Sequence, residues 1–444
     1  MNEHVSTVPN TVSCPPRAPW WLWALLVPLG CLSLASSCSQ AKPTTEVSDL
    51  QDLIEWYDPA TKAHKKAEGK ARYGRNEGAW IHYWNNGAVQ AQGSYEGGEK
   101  VGEWVEYDPG GGTASKGVYV HGEKVGEWLY YFPSGELERK EQYTAGALDG
   151  LQESYYPDGV VRERAIYQQG VENGLREGFH PSGALAYSML FVDGKEEGEY
   201  KALHPDGSVA QTRTFENGKT IGEEKKFYPS GKLGYLLRYE DGLPVGEQVE
   251  YYENGTVRAR IPFENGKRHG LERQFHPGGQ KAVELPWVEG KRVGENLSWY
   301  PDGTLQLRTQ FVNDLMQGPI TGYFKNGKAQ YEGAHEAGKK TGLWKLYYED
   351  GALRQYVPYV ADQVTGWMQE WFPDGKRKAC GTYVAGALVG PFVLWTEDGA
   401  IEPRQTGQYA EGKRIGDLTE AQAMLAQELQ NDPTPRDTSP FPKP

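Results

Sequence analysis

Gly126-Glu-Trp-Leu-Tyr-Tyr-Phe-Pro-Ser-Gly135 is one copy of a unit that recurs along most of this chain. Its leading glycine returns as Gly78, Gly102, Gly126, Gly150, Gly174, Gly198, Gly222, Gly246, Gly270, Gly294, Gly318, Gly342, Gly366 and Gly390, on a strict 24-residue period without an insertion. A second column nine residues later runs from Gly87 to Gly399 without exception. A third, twenty residues on, runs from Gly98 to Gly386 and is interrupted only by Asp314 and Asp362. Regularity at this period marks a repeat architecture, in which each unit buries its apolar side against its neighbours.

The unit reads as β structure. The residue before the second glycine is Asn or Asp at 86, 158, 206, 254, 302, 326, 350, 374 and 398, and Ser at 134, 182 and 230. Asn-Gly and Asp-Gly between apolar runs signal a hairpin, because these residues tolerate positive φ. Gly87, Gly135, Gly159, Gly207, Gly255, Gly303, Gly351 and Gly375 are therefore read as structural turn glycines. The first strand carries an aromatic five residues past the leading glycine, as at Tyr83, Tyr107 and Tyr131. The second carries Val89, Leu137 or Val161 early and Tyr95, Tyr143 or Tyr167 late, a six-residue spacing that puts both on one strand face. That face is the expected buried stripe.

Two strands and two turns per unit predict an all-β repeat protein, an elongated antiparallel β-meander of about 14 hairpin units of 24 residues with a C-terminal capping helix. Twenty-eight strands at about 4.8 Å each would span on the order of 130 Å. Residues 52–77, with Trp56, Tyr73 and Gly74 in a Lys-rich setting, form a degenerate N-terminal cap repeat ahead of the array at 78–416. Residues 417–431 read as a helix, with Thr419 and Gln422 in a capping box and Leu418, Ala421, Leu425 and Leu429 on one apolar face. The tail 432–444 is proline-rich and expected to be disordered.

Ahead of the array lies an export signal. Trp20 to Leu34 is an apolar run of fifteen residues, short for a bilayer span and suited to a signal-peptide core. It ends in Leu34-Ala35-Ser36-Ser37-Cys38, which resembles a bacterial lipobox; Ala35 stands where that pattern prefers Leu. The resemblance implies a signal peptide over 1–37, lipid attachment at Cys38 and, with Ser39 following, the outer membrane. Cleavage elsewhere between Ala35 and Ser37, or an uncleaved anchor, are the alternatives. Residues 38–51 form a polar tether.

The composition excludes other classes. A net charge of −13 gains nothing from counterion release on nucleic acid. Of the four cysteines, Cys14, Cys31, Cys38 and Cys380, only the last lies in the repeats, and none has zinc spacing. His180, His204 and His276 share one column otherwise filled mostly by Tyr or Phe, and read as exposed aromatic replacements. Successive copies of a column lie about 10 Å apart, too far to share a metal ion. Lys340-Thr341-Gly342 is a repeat boundary, since the only Ser-x-x-Lys, Ser39 to Lys42, lies in the tether. Glu103, Glu127, Glu199 and Glu223 recur as solvated edge positions. No catalytic residue, cofactor, metal site or small-molecule substrate is expected.

The Tyr-x-x-Gly-x-x-x-Gly-x-Trp and Tyr-Pro-Asp-Gly elements, as in Tyr119 to Trp128 and Tyr300 to Gly303, resemble the MORN-variant repeat family over about residues 78–401. That family includes YwqK-type antitoxin-like proteins. The resemblance, with the export signal, implies a lipid-anchored envelope scaffold that binds a protein or glycan partner and meets the membrane only through its N-terminal lipid. An antitoxin acting by protein binding is the alternative.

Overall fold

The computed structural model describes residues 49–430, 432 and 434–441. The signal segment, Cys38 and the tether up to residue 48 lie outside the described residues. Leu50 to Trp56 is already a strand, so the last two residues assigned to the tether belong to the sheet. Among the described residues no helix is long and apolar enough to cross a membrane.

Residues 50–416 form one antiparallel sheet of 37 strand segments in which each strand pairs with its neighbours in sequence. Units are numbered from the leading glycine, unit 1 at Gly78 and unit 14 at Gly390. Unit 7 shows the plan. Lys219–Phe227 crosses the leading glycine, and Leu233–Glu240 returns beside it, Gly222 opposite Tyr239. The segments outnumber the expected strands chiefly because the first strand of six units is interrupted beside its leading glycine, as in Ala147–Leu148 and Gly150–Tyr155. That glycine sits in a bulge. Thr212 pairs with Lys225 and Thr214 with Ile221, so Gly222, Glu223 and Glu224 together oppose the single residue Arg213. Gly222 accordingly has φ +64°, a bulge conformation that glycine adopts without steric cost.

The two turns differ from each other. In unit 6 the amide of Gly207 donates to the carbonyl of His204 at 2.9 Å, and that of His204 to the carbonyl of Ser208 at 2.8 Å. Only Gly207 has positive φ, at +84°. This is a three-residue loop, a type I turn closed by a left-handed glycine. The expectation that the Asp or Asn also takes positive φ is corrected: Asp206 instead accepts the Ser208 amide on Oδ1 at 2.9 Å. All eight glycines assigned to this turn have φ between +84° and +100°. The turn at the opposite edge has two positive-φ residues, such as Asn217 at +51° and Gly218 at +78°, the pattern of a type I′ hairpin. His121, Ala145 and Gln169 occupy its first position elsewhere, so the usual Asn signature is absent in those copies.

Successive units are tied at this edge. The Gly218 amide donates to the carbonyl of Glu196, 22 residues back, at 2.9 Å, and the same bond recurs in most copies between Gly98 and Gly386. An inserted residue in the turn would break that reach, which accounts for the constant period. Asp314 and Asp362, which replace glycine here with φ +72°, each add a carboxylate contact. Their Oδ1 atoms accept the backbone amides of Arg292 and Lys340 at 3.0 and 2.7 Å.

The C-terminal helix is Glu420–Gln430. Thr419 and Gln422 form the reciprocal cap, at 2.9 and 3.4 Å. Its packed side differs from the expected face: Ala426 and Leu429 are buried, Leu418 and Leu425 flank them, and Ala421 is exposed. The helix lies on the sheet's face at units 13 and 14, against Trp367, Cys380, Val393 and Trp395. Residues 434–441 of the tail, expected to be disordered, pack there too, with Phe441 only 4 % exposed.

Candidate binding surfaces

Each strand exposes alternate side chains on two faces of the sheet. The first face holds the side chains two and four residues past the leading glycine, with the late aromatic of the second strand. In units 1 to 3 it is an aromatic ladder. Trp80, Trp104 and Trp128 are at most 1 % exposed, with Tyr95 and Tyr119 standing edge-on between them at 5.0 to 6.2 Å. The bulge lays each indole over a glycine of the preceding strand. A Cβ on Gly93 would lie 2.3 Å from the Trp104 ring, and one on Gly117 equally close to Trp128. The Trp104 indole N–H donates to the carbonyl of Ser94 at 3.1 Å. Lys100 and Lys124 lie 4.1 Å above the Trp104 and Trp128 rings, a cation–π cover, and burial lowers the pKa of both lysines. The tryptophans are thus sealed, and offer no stacking surface to a ligand.

In the central units the same column is polar. Glu224 is 2 % exposed and receives Arg213 at 2.7 Å, Gln211 at 2.8 Å and Tyr239 at 3.0 Å. Burial opposes its ionisation, but Arg213, Lys226 and Tyr239 outweigh it and hold the carboxyl below its ordinary value. Glu272 is 3 % exposed and accepts the Trp287 indole N–H at 2.9 Å. Among these units lies a cavity of about 260 Å3 lined by Arg176, Tyr187, Met189, Tyr200 and Arg213.

The aromatics expected on strand one, such as Tyr83, face the other way. The Tyr155 hydroxyl donates to Glu153 at 2.8 Å and that of Tyr347 to Glu332 at 2.9 Å, so this column belongs to the second, more open face. On that face Leu151 and Ile166 stand opposite each other, as do Leu175 and Leu190. They are 40 to 47 % exposed and sit on four successive strands.

His180, His204 and His276 are not exposed replacements. Each is half-buried and donates Nε2–H to a carbonyl 23 residues on, of Leu203, Phe227 and Trp299, at 2.9 to 3.0 Å. Tyr156, Tyr228, Tyr252, Tyr300 and Tyr348 make the same bond through their hydroxyls, and Trp84 through its indole. The column selects any ring with a donor at that reach, and it fixes the histidine tautomer. Among the described residues no three His, Cys, Asp or Glu are grouped as a metal ligand set. Cys380 is fully buried, which pushes its thiol pKa up to about 12.

Around unit 13 the second face is covered. Arg377, 1 % exposed, donates to Gln369 and to the carbonyls of Leu429, Asp432 and Thr434, at 2.7 to 3.1 Å. It thereby ties the helix C-terminus and the tail to the sheet. Sequence reasoning missed this residue; its column holds Val89, Leu137 and Val161 in other units, and that break in pattern was the available signal.

The MORN repeat variant family matches residues 76–96, 124–145, 148–169, 221–241, 244–265 and 340–361. No curated protein matches the sequence. Among solved structures, a crystal structure of TcdB2-TccC3 is similar at 10% identity and TM-score 0.15, covering 80% of this chain and 23% of that one. One of TcdB2-TccC3-Cdc42 is similar at 9% identity and TM-score 0.13, covering 76% and 21%. The chain spans less than a quarter of their length, and likeness at such TM-scores carries no argument. The six matched segments fall on the same 24-residue hairpin that the sheet repeats throughout, and over those segments the chain carries repeats of the MORN variant.

Proposed function

We propose that this protein is an exported repeat scaffold, lipid-anchored at Cys38, which holds a protein or glycan partner in the bacterial envelope by binding rather than by chemistry. The observation that carries the binding reading is the open row Leu151, Ile166, Leu175 and Leu190. Contiguous exposed apolar side chains on an otherwise polar surface mark interaction sites. The repeated backbone supports it, because a partner spanning several units would meet the same register many times and gain from multivalency. Export and lipidation rest on the apolar run and Cys38 of the sequence.

Two experiments test the reading. Cys38→Ala should lose a palmitate label and leave the membrane fraction; unchanged label and retention would contradict the anchor. Capture of envelope partners should fall at least tenfold in a Leu151→Lys, Leu175→Lys double variant that keeps its β circular dichroism. Unaltered capture would contradict the binding surface. An antitoxin-like protein binder, the second reading, would use the same surface in the cytoplasm, and fractionation separates the two.

A further inference from the structure

The C-terminal tail lies on unit 13 as a peptide lies on a receptor. Gln369 is fully buried and uses both ends of its amide on one residue: Nε2 donates to the Arg436 carbonyl at 2.6 Å, and Oε1 accepts the Arg436 amide at 3.1 Å. Such a pair reads main chain, not side chain. Arg377 adds the carbonyls of Asp432 and Thr434 at 2.7 and 3.1 Å. Tyr356 hydrogen-bonds Asp437. Five residues beyond Arg436, Phe441 stands edge-on to Trp367 with ring centroids 5.7 Å apart.

Among the described residues the fit is incomplete: a cavity of about 330 Å3 lies where the tail meets the sheet, lined by Trp367, Thr382, Val389, Pro391, Thr438 and Phe441. That volume lies in the range of small ligand pockets. A tail whose only task was to cap the sheet would gain by filling it. Main-chain recognition, one aromatic anchor and adjoining apolar space are together the features of a site for a peptide with an aromatic side chain.

We propose that the face of unit 13 is a binding site for a polypeptide segment, read through its main chain by Gln369 and Arg377 and anchored by an aromatic side chain on Trp367, and that the tail, through Asp432 and residues 434–441, occupies it in cis until a partner segment displaces it. The inference deepens the scaffold reading by naming the chemistry of a protein partner. It concerns a different face region from the Leu151 row, so the two fail separately.

The test uses the full chain and a fluorescent synthetic peptide of residues 432–441, Asp-Pro-Thr-Pro-Arg-Asp-Thr-Ser-Pro-Phe. Phe441→Ala in the protein weakens the cis occupant, and that variant should bind the peptide at least tenfold more tightly than the unmodified chain. Adding Gln369→Leu to it should reverse the gain, and a peptide with Ala in place of its Phe should bind at least tenfold more weakly. Equal affinity for the unmodified and Phe441→Ala chains, or no saturable binding to either, overturns the proposal. So does a gain that survives Gln369→Leu.

Discussion

In units 1 to 3 the position two residues past the leading glycine is Trp80, Trp104 and Trp128, each sealed over a glycine. In units 7 to 9 it is Glu224, Gln248 and Glu272, and the facing residues are Arg213, Leu237 and Ile261. The backbone is the same in both: hairpin, bulge and turns recur with the same pairing. The bulge creates a pocket that must be filled, and two chemistries fill it. An indole does so by area and one hydrogen bond to the carbonyl beside the bulge. In unit 7 the Glu224 carboxylate does so with the Arg213 guanidinium and the Tyr239 hydroxyl. The indoles of units 1 to 3 each lie over a glycine, whereas Glu224 faces Arg213. Trp344 again faces Gly333 and Phe392 faces Gly381.

The comparison breaks first at Trp104. Trp104→Ala removes a fully buried indole and should cost about 3–5 kcal/mol locally, whereas the half-buried Gln248→Ala should cost about 1 kcal/mol or less. Hydrogen-exchange protection read unit by unit checks both. A repeat array need not melt in one step, so a single midpoint would blur the difference. Gly93→Ala should follow, at about 1–3 kcal/mol, because the new methyl meets the Trp104 ring at 2.3 Å. Restoring tolerance with Trp104→Ala in the same chain would confirm the pair; additive losses would break it.

Acid should separate the regions. Burial lowers the pKa of His82, beside the ladder, and of His335, packed on Trp344. A depressed histidine contributes stability above its unfolded value of 6.5 and loses it as pH falls below that value. Glu224 is depressed below 4.5, so its contribution is lost only as pH falls further. Protection factors, corrected for the intrinsic pH dependence of amide exchange, should fall around unit 1 and the junction of units 11 and 12 between about pH 6.5 and 4.5, before the carboxylate contribution in unit 7 is lost. The smallest effect belongs to the clasp column. His180→Phe removes one hydrogen bond to the Leu203 carbonyl and should cost about 0.5–1.5 kcal/mol, and His180→Tyr should recover most of it.

Much of this was legible in the sequence, and unevenly so. The period, the hairpins and the class of fold follow from glycine columns, because positive φ leaves a residue signature that repetition amplifies. The Trp–Gly coupling was also written there, since Gly69, Gly93 and Gly117 precede Trp80, Trp104 and Trp128 by eleven residues each, but it needs the bulge to make sense. The bulge itself is a matter of register, which no single residue announces. The role of His180, His204 and His276 was hidden because a donor at fixed reach, not aromaticity, defines their column. The tail misled for a different reason: proline-rich segments cannot pack on themselves, yet Gln369 and Arg377 satisfy the main chain of this one from outside.

The central claim is that each unit ahead of those covered by the C-terminal helix and tail is stabilised by contacts with its neighbours alone, in whichever chemistry that stretch uses. Hydrogen exchange resolved along the chain of Trp104→Ala tests it most directly. The account predicts that protection falls across units 1 to 3, from Gly78 to Asp149, while units 6 to 10 exchange as in the unmodified protein. Loss of protection throughout units 6 to 10, in step with units 1 to 3, would contradict it and show that the sheet folds as one cooperative body.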